Sequence, residues 1–186
     1  MRELREITFL DRYSHTDYYI PTEIIRYSNR SKMRTENIAE HSFYVAFYVI
    51  LVGNDYNIKP EIINKACTLA VLHDYPEIYT LDLAHDFKYS HPDVKATFNK
   101  AEKDFISQYL PNIKHYFDDL DKDTPESLLV HIGDALSVLL YTNRELSIWN
   151  DNHDMKVISN EIRVRLTELF AKLDEYIQKG NIVNGK

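Results

Sequence analysis

Apolar residues recur every third or fourth position along most of this chain, and no strand-like alternation of comparable length competes with that period. The pattern predicts helices near 3–12, 36–54, 60–74, 92–109, 124–146 and 154–179. Local punctuation agrees with it. Thr35 is the expected N-cap of the 36–54 helix, Pro60 suits the first turn of the next, and Thr124 followed by Pro125 suits the start of the 124–146 helix. Tyr75-Pro76 should end the 60–74 helix just past His73-Asp74, because proline removes a donor and disfavours the helical region for its predecessor. From Tyr75 to His91 the pattern lapses into Asp, His, Tyr and Pro, which predicts an irregular connection carrying at most one short helix. With no internal repeat and no Gly- or Ser-rich linker, the expectation is one all-α, single-domain bundle over residues 1–186.

Composition narrows the function. The 186 residues are enough to bury a sizeable core. The net charge is -7 and the basic residues are scattered, which excludes a protein that tracks a nucleic-acid polymer. A small anionic substrate still fits, since a few Lys and Arg beside a metal ion create a local positive pocket. Cys67 is the single cysteine and lies in an apolar run, so neither a disulfide framework nor a thiolate metal site can be built. The N-terminal MRELREITFLDRY lacks the apolar region of a signal peptide, and no stretch approaches a membrane span. The expected location is the cytoplasm, with no membrane partner.

The informative residues are polar groups set in apolar helices. His41 has Ile38, Tyr44, Val45 and Tyr48 as its helical neighbours, which turns it inward. His73 and Asp74 end the run Leu69-Ala70-Val71-Leu72, and Asp134 interrupts Leu128-Leu129-Val130-His131-Ile132-Gly133. Burying a carboxylate costs of order several kcal/mol unless a cation or hydrogen bonds compensate. Any one of these residues alone reads as a satisfied core group. A shared metal ion would compensate all four at once. Two further pairs, His85-Asp86 and His153-Asp154, lie in polar surroundings and lack that argument.

A histidine, then an adjacent His-Asp pair at a helix end, then an aspartate in a later apolar helix resembles the ligand order of the HD superfamily. The resemblance sharpens over about residues 20–175. Arg26-Tyr27, Arg34-Thr35-Glu36-Asn37-Ile38-Ala39-Glu40-His41-Ser42, Leu72-His73-Asp74-Tyr75-Pro76-Glu77, Asp82-Leu83, Phe87-Lys88-Tyr89 and Gly133-Asp134-Ala135-Leu136 together resemble the bacterial 5'-deoxynucleotidase family. That likeness implies an HD-type helical bundle, a homodimer or higher homo-oligomer, and removal of phosphate from deoxyribonucleoside 5'-monophosphates. It further implies one divalent transition-metal ion per chain, cobalt or manganese, held by His41, His73, Asp74 and Asp134. A mixed imidazole and carboxylate shell suits such an ion, which polarises phosphoryl groups and activates water. By the same likeness Glu77 and Asp82 are the catalytic carboxylates, and Arg26, Tyr27 and Lys88 contact the substrate. Tyr27 departs from the family pattern, where tryptophan packs on the sugar, so its hydroxyl should loosen selection for deoxyribose. Residues 13–21 match nothing in the family.

Two rival functions share these motifs. A deoxynucleoside triphosphate triphosphohydrolase, like the short viral HD enzymes acting on dATP, differs only in how much phosphate its pocket admits. A non-catalytic HD-fold binding domain is the other, although such domains usually lose ligands that this chain retains. Hydrolysis of guanosine tetraphosphate calls for a Glu-Asp pair, and here Glu77 is followed by Ile78.

Overall fold

The structure is a computed structural model that describes residues 21–28, 30–80, 91–148, 153–180 and 182–184. The helix expected at 3–12, the carboxylate Asp82, the lysine Lys88 and the pair His85-Asp86 lie outside the described residues. Seven helices run through the rest: α1 (Ile38–Asp55), α2 (Pro60–Leu72), α3 (Glu77–Thr80), α4 (Pro92–Tyr109), α5 (Lys114–Leu120), α6 (Pro125–Ser147) and α7 (His153–Gln178). The all-α expectation holds, with two isolated β-bridges among the described residues, Ile25 with Asn37 and Ile58 with Val183.

Capping residues account for most of the boundaries. Pro60, Pro92 and Pro125 each occupy the first turn of a helix, where a missing N–H costs nothing. Thr124 caps α6 by accepting from the Ser127 amide at 3.2 Å. The start of α1 corrects the sequence reading, because the N-cap is Asn37 and not Thr35. Asn37 Oδ1 accepts from the Glu40 amide at 2.9 Å and Glu40 Oε2 accepts from the Asn37 amide at 3.1 Å, a reciprocal capping box. The preceding residues are committed elsewhere: the Arg26 amide donates to the Glu36 carbonyl at 2.8 Å and the Ile38 amide to the Ile24 carbonyl at 3.1 Å. The helix α5 was not expected. Seven residues with one buried apolar side chain, Phe117, are too few to display a period.

The long helix α6 is the axis of the bundle and packs against α1, α2 and α7. Its side chains Leu129, Val130, Ile132 and Ala135 are buried, and they meet Val45 and Val49 of α1, Ala66 and Leu69 of α2, and Leu166, Leu169 and Leu173 of α7 in one core. Each large aliphatic group so buried contributes roughly 1.5–3 kcal/mol. Gly133 sets the α1–α6 crossing: a Cβ there would lie 2.7 Å from the Val45 carbonyl oxygen, so the two backbones touch where a side chain would part them. Asp134 is therefore delivered close to α1, one residue beyond the tightest point. Among the described residues, no helix is long and apolar enough to cross a membrane.

Candidate metal centre

Three helices converge on one point. His41 comes from the first turns of α1, His73 caps the C-terminal end of α2 with Asp74 beside it, and Asp134 lies in the middle of α6. After Leu72 the chain turns through Tyr75-Pro76, with the Tyr75 amide donating to the Leu72 carbonyl at 2.9 Å and the Glu77 amide to the Asp74 carbonyl at 3.0 Å. The proline thus halts α2 and leaves the His-Asp pair at a helix end, as the sequence predicted.

Ligand atoms of His41, His73 and Asp134 all lie within 4.8 Å of one another. Asp74 joins them, with Oδ2 at 3.5 Å from His41 Nε2 and Oδ1 at 3.3 Å from His73 Nε2. Asp134 Oδ1 is 3.3 Å from His41 Nε2. Both Nε2 atoms are buried and lack a hydrogen-bond partner. Two imidazole nitrogens in that condition, facing two carboxylates, form a donor set that a divalent cation would satisfy. The other nitrogen of each ring is anchored: His73 Nδ1 donates to the Ala70 carbonyl at 2.7 Å, and His41 Nδ1 lies 3.1 Å from Ser137 Oγ. Such outer contacts fix ring orientation.

Electrostatics fit the same picture. Burial, reinforced by the Arg26 charge, pushes His41 down to about 4. Burial also disfavours the charged form of His73, but Asp74 and Asp134 outweigh it and hold the ring up to about 9. Burial alone would raise both carboxyls, yet the imidazoles beside them keep Asp74 and Asp134 well below the usual carboxylate range.

Arg26 reaches the site from behind. Its Nη1 donates to Glu36 Oε2 at 2.9 Å and lies 2.6 Å from His41 Nδ1, on the edge of the ring opposite the donor set. Tyr27, at a positive φ of 55°, stacks on Tyr141 of α6 with centroids 4.6 Å apart. Lys32 Nζ donates to the carbonyls of Arg26 and Tyr27 at 2.8 and 2.9 Å. Fully buried Glu145 accepts from the Met33 and Arg34 amides at 2.7 and 2.9 Å. This loop is therefore pinned to α6 at several points. Glu77 opens α3, three residues past Asp74.

Sequence reasoning missed Ser137, Glu36 and Arg165. Ser137 lies one turn beyond Asp134 and could have been found from that spacing. Arg165 comes from α7 with nothing local to mark it. His153-Asp154 is not part of the centre, and Asp154 instead accepts from Arg30 at 2.6 Å.

A cavity of about 390 Å³ opens from His73, Asp74 and Asp134 toward α4, α5 and α7. Buried His41 and part-buried His73, Asp74 and Asp134 in an all-helical bundle, beside a cavity of nucleotide size, make a candidate metal centre for a hydrolase, and comparison with known proteins gives the family. Residues 22–179 match the family described as 5'-deoxynucleotidase YfbR-like, and this chain belongs to it. A 5'-deoxynucleotidase of Photorhabdus laumondii is 28% identical over 170 residues, covering 84% of each chain. One from Yersinia pestis is 32% identical over 142 residues, covering 69% of this chain and 71% of the relative. The fold is shared with an HD-domain phosphohydrolase from Listeria innocua, with a TM-score of 0.74 at 20% identity over 92% of this chain and 87% of that one. It is also shared with the cyanophage S-2L HD phosphohydrolase DatZ, solved bound to dA and one catalytic Zn2+, with a TM-score of 0.64 at 18% identity over 89% and 97% of the two chains. The chain thus belongs to the 5'-deoxynucleotidase family, and it has the fold of HD-domain phosphohydrolases.

Proposed function

We propose that this protein removes phosphate from deoxyribonucleoside 5'-monophosphates, with His41, His73, Asp74 and Asp134 holding one divalent transition-metal ion. The observation that carries the reading is the pair of buried, partnerless Nε2 atoms facing Asp74 and Asp134 at the end of the cavity. The curated relatives support the substrate class, and dA in the cyanophage enzyme agrees with a deoxynucleoside product.

His41, His73, Asp74 and Asp134 would hold a cobalt or manganese ion, which would supply charge to polarise the phosphoryl group and to lower the pKa of a water molecule. The chain's own residues do the rest. Glu77 takes the proton from the attacking water, and Asp82 handles the sugar and the leaving group. Arg26 and Lys88 hold phosphate oxygens, since cations that stay charged suit that task. Once His41 Nε2 serves as a donor, its proton resides on Nδ1, and Ser137 Oγ at 3.1 Å is placed to accept it. The Arg26 N–H at 2.6 Å then loses its acceptor on the ring and keeps Glu36 Oε2 at 2.9 Å. Tyr27, steadied by Tyr141, packs against the sugar.

The protein acts as one cytoplasmic domain and as a homo-oligomer. The outward row Phe43, Phe47 and Ile50 of α1 offers an apolar surface for self-association, with Phe43 66% exposed. A panel of deoxy- and ribonucleoside mono- and triphosphates tests the substrate assignment. We expect phosphate and nucleoside from the deoxy monophosphates with manganese or cobalt, and no turnover in chelator. Triphosphate release from a deoxynucleoside triphosphate, without turnover of any monophosphate, would replace the assignment with the triphosphohydrolase.

A further inference from the structure

The cations around the cavity are not equivalent. Lys114 Nζ donates to both oxygens of Asp118 at 2.7 and 2.6 Å, and Lys103 Nζ to Asp121 at 2.7 Å, so each is neutralised by a carboxylate at close range. Arg165 differs. Its Nη1 stands 3.5 Å from Asp134 Oδ2, beyond a good hydrogen bond, and its side chain is 38% exposed in the cavity wall. A guanidinium has five N–H donors, and one long contact leaves most of them directed at whatever enters. The position is also well supported, because Arg165 lies between Ile162 and Leu169, which anchor that edge of α7 in the core. The stem is held while the head group looks into the cavity.

Simple charge compensation of Asp134 would be the plainest role for this arginine, and the geometry argues against it. Asp134 Oδ1 faces His41 Nε2 at 3.3 Å, and the groups that keep Asp134 ionised are chiefly His41 and His73. Oδ2, on the other side of the carboxylate, meets Arg165 in the cavity wall. Arg165 therefore sits on the accessible side of the donor set, whereas Arg26 contacts the far edge of the His41 ring.

We propose that Arg165 is a substrate-binding residue, whose guanidinium takes phosphate oxygens of the nucleotide on the cavity side. This rests on the phosphohydrolase reading above and adds a contact that none of the sequence motifs marks. Planar guanidinium suits two phosphate oxygens at once, so Lys at this position should restore only part of the affinity.

The test is binding of inorganic phosphate to manganese-loaded protein by titration calorimetry, with metal content measured on the same samples. In Arg165→Gln the phosphate dissociation constant should rise roughly 10- to 100-fold at unchanged manganese content, and Arg165→Lys should fall between it and the wild type. Phosphate binding within twofold of wild type in Arg165→Gln overturns the proposal. Loss of manganese in step with phosphate also overturns it, since Arg165 would then be a brace for Asp134. Wild-type protein that binds phosphate, loses it in Arg165→Gln and yet hydrolyses no nucleoside phosphate leaves Arg165 in its role and removes the enzymatic reading instead.

Discussion

The chain contains the same dipeptide in two described settings, His73-Asp74 and His153-Asp154. The first closes α2 against the axis of the bundle, with His73 Nε2 buried and Asp74 among the imidazoles. The second opens α7, where Asp154 is 40% exposed and pairs with Arg30 at 2.6 Å. Chemistry resides in the surroundings and not in the pair. An exposed aspartate keeps its hydration and gains little from an arginine, whereas half-buried Asp74 is held ionised by the two imidazoles and the Arg26 charge.

Asn in place of Asp tests this contrast most severely. Asp74→Asn removes a charged donor from the centre, and we expect metal content and hydrolysis both to vanish. The same change at Asp154 should leave metal and turnover at wild-type levels and cost at most about 1 kcal/mol in unfolding experiments. Equal effects at the two positions would dissolve the distinction.

A smaller effect is expected from the residue three places after each pair, which is Glu77 after Asp74 and the exposed Val157 after Asp154. If Glu77 moves a proton, Glu77→Gln should retain the metal and the substrate KM while kcat falls by roughly 10²–10⁴. Near-normal kcat would make Glu77 a bystander at the helix start.

The mildest expectation concerns pH. His41 is already neutral above its lowered value of about 4 and both carboxylates are ionised, so neither sheds a proton when metal binds near neutrality. His73 is raised to about 9, so below that pH its proton must leave before Nε2 can donate. About one proton should therefore be released per ion at pH 7, and affinity should rise about tenfold per pH unit up to about 9. Calorimetry in buffers of different ionisation enthalpy counts that proton, and a count of zero would mean either that His73 is already neutral before the ion binds or that it is not a donor.

How much of this was legible beforehand depended on whether the cause was local. Pro60, Pro125 and Thr124 act within one turn, and the helices they start were predicted close to their observed bounds. Thr35 misled because its qualification as a cap is also local, while the bridge that holds Asn37 extended pairs it with Ile25 of a distant loop. The donors stood out because a carboxylate or imidazole in an apolar run needs a partner. Arg165 gave no such signal, since an arginine on a half-exposed helix face is unremarkable until the fold carries it to Asp134.

The close crossing at Gly133 makes an ion at this centre a crosslink as well as a reagent. His41 and Asp134 sit on the two helices that touch there, so any cation they share ties α1 to α6 and resists their separation. Ligand that binds only the folded chain stabilises it by mass action, about 2.7 kcal/mol at a hundred times its dissociation constant. The melting temperature of this protein is then a readout of free metal concentration, and a chelator acts on it as a mild denaturant.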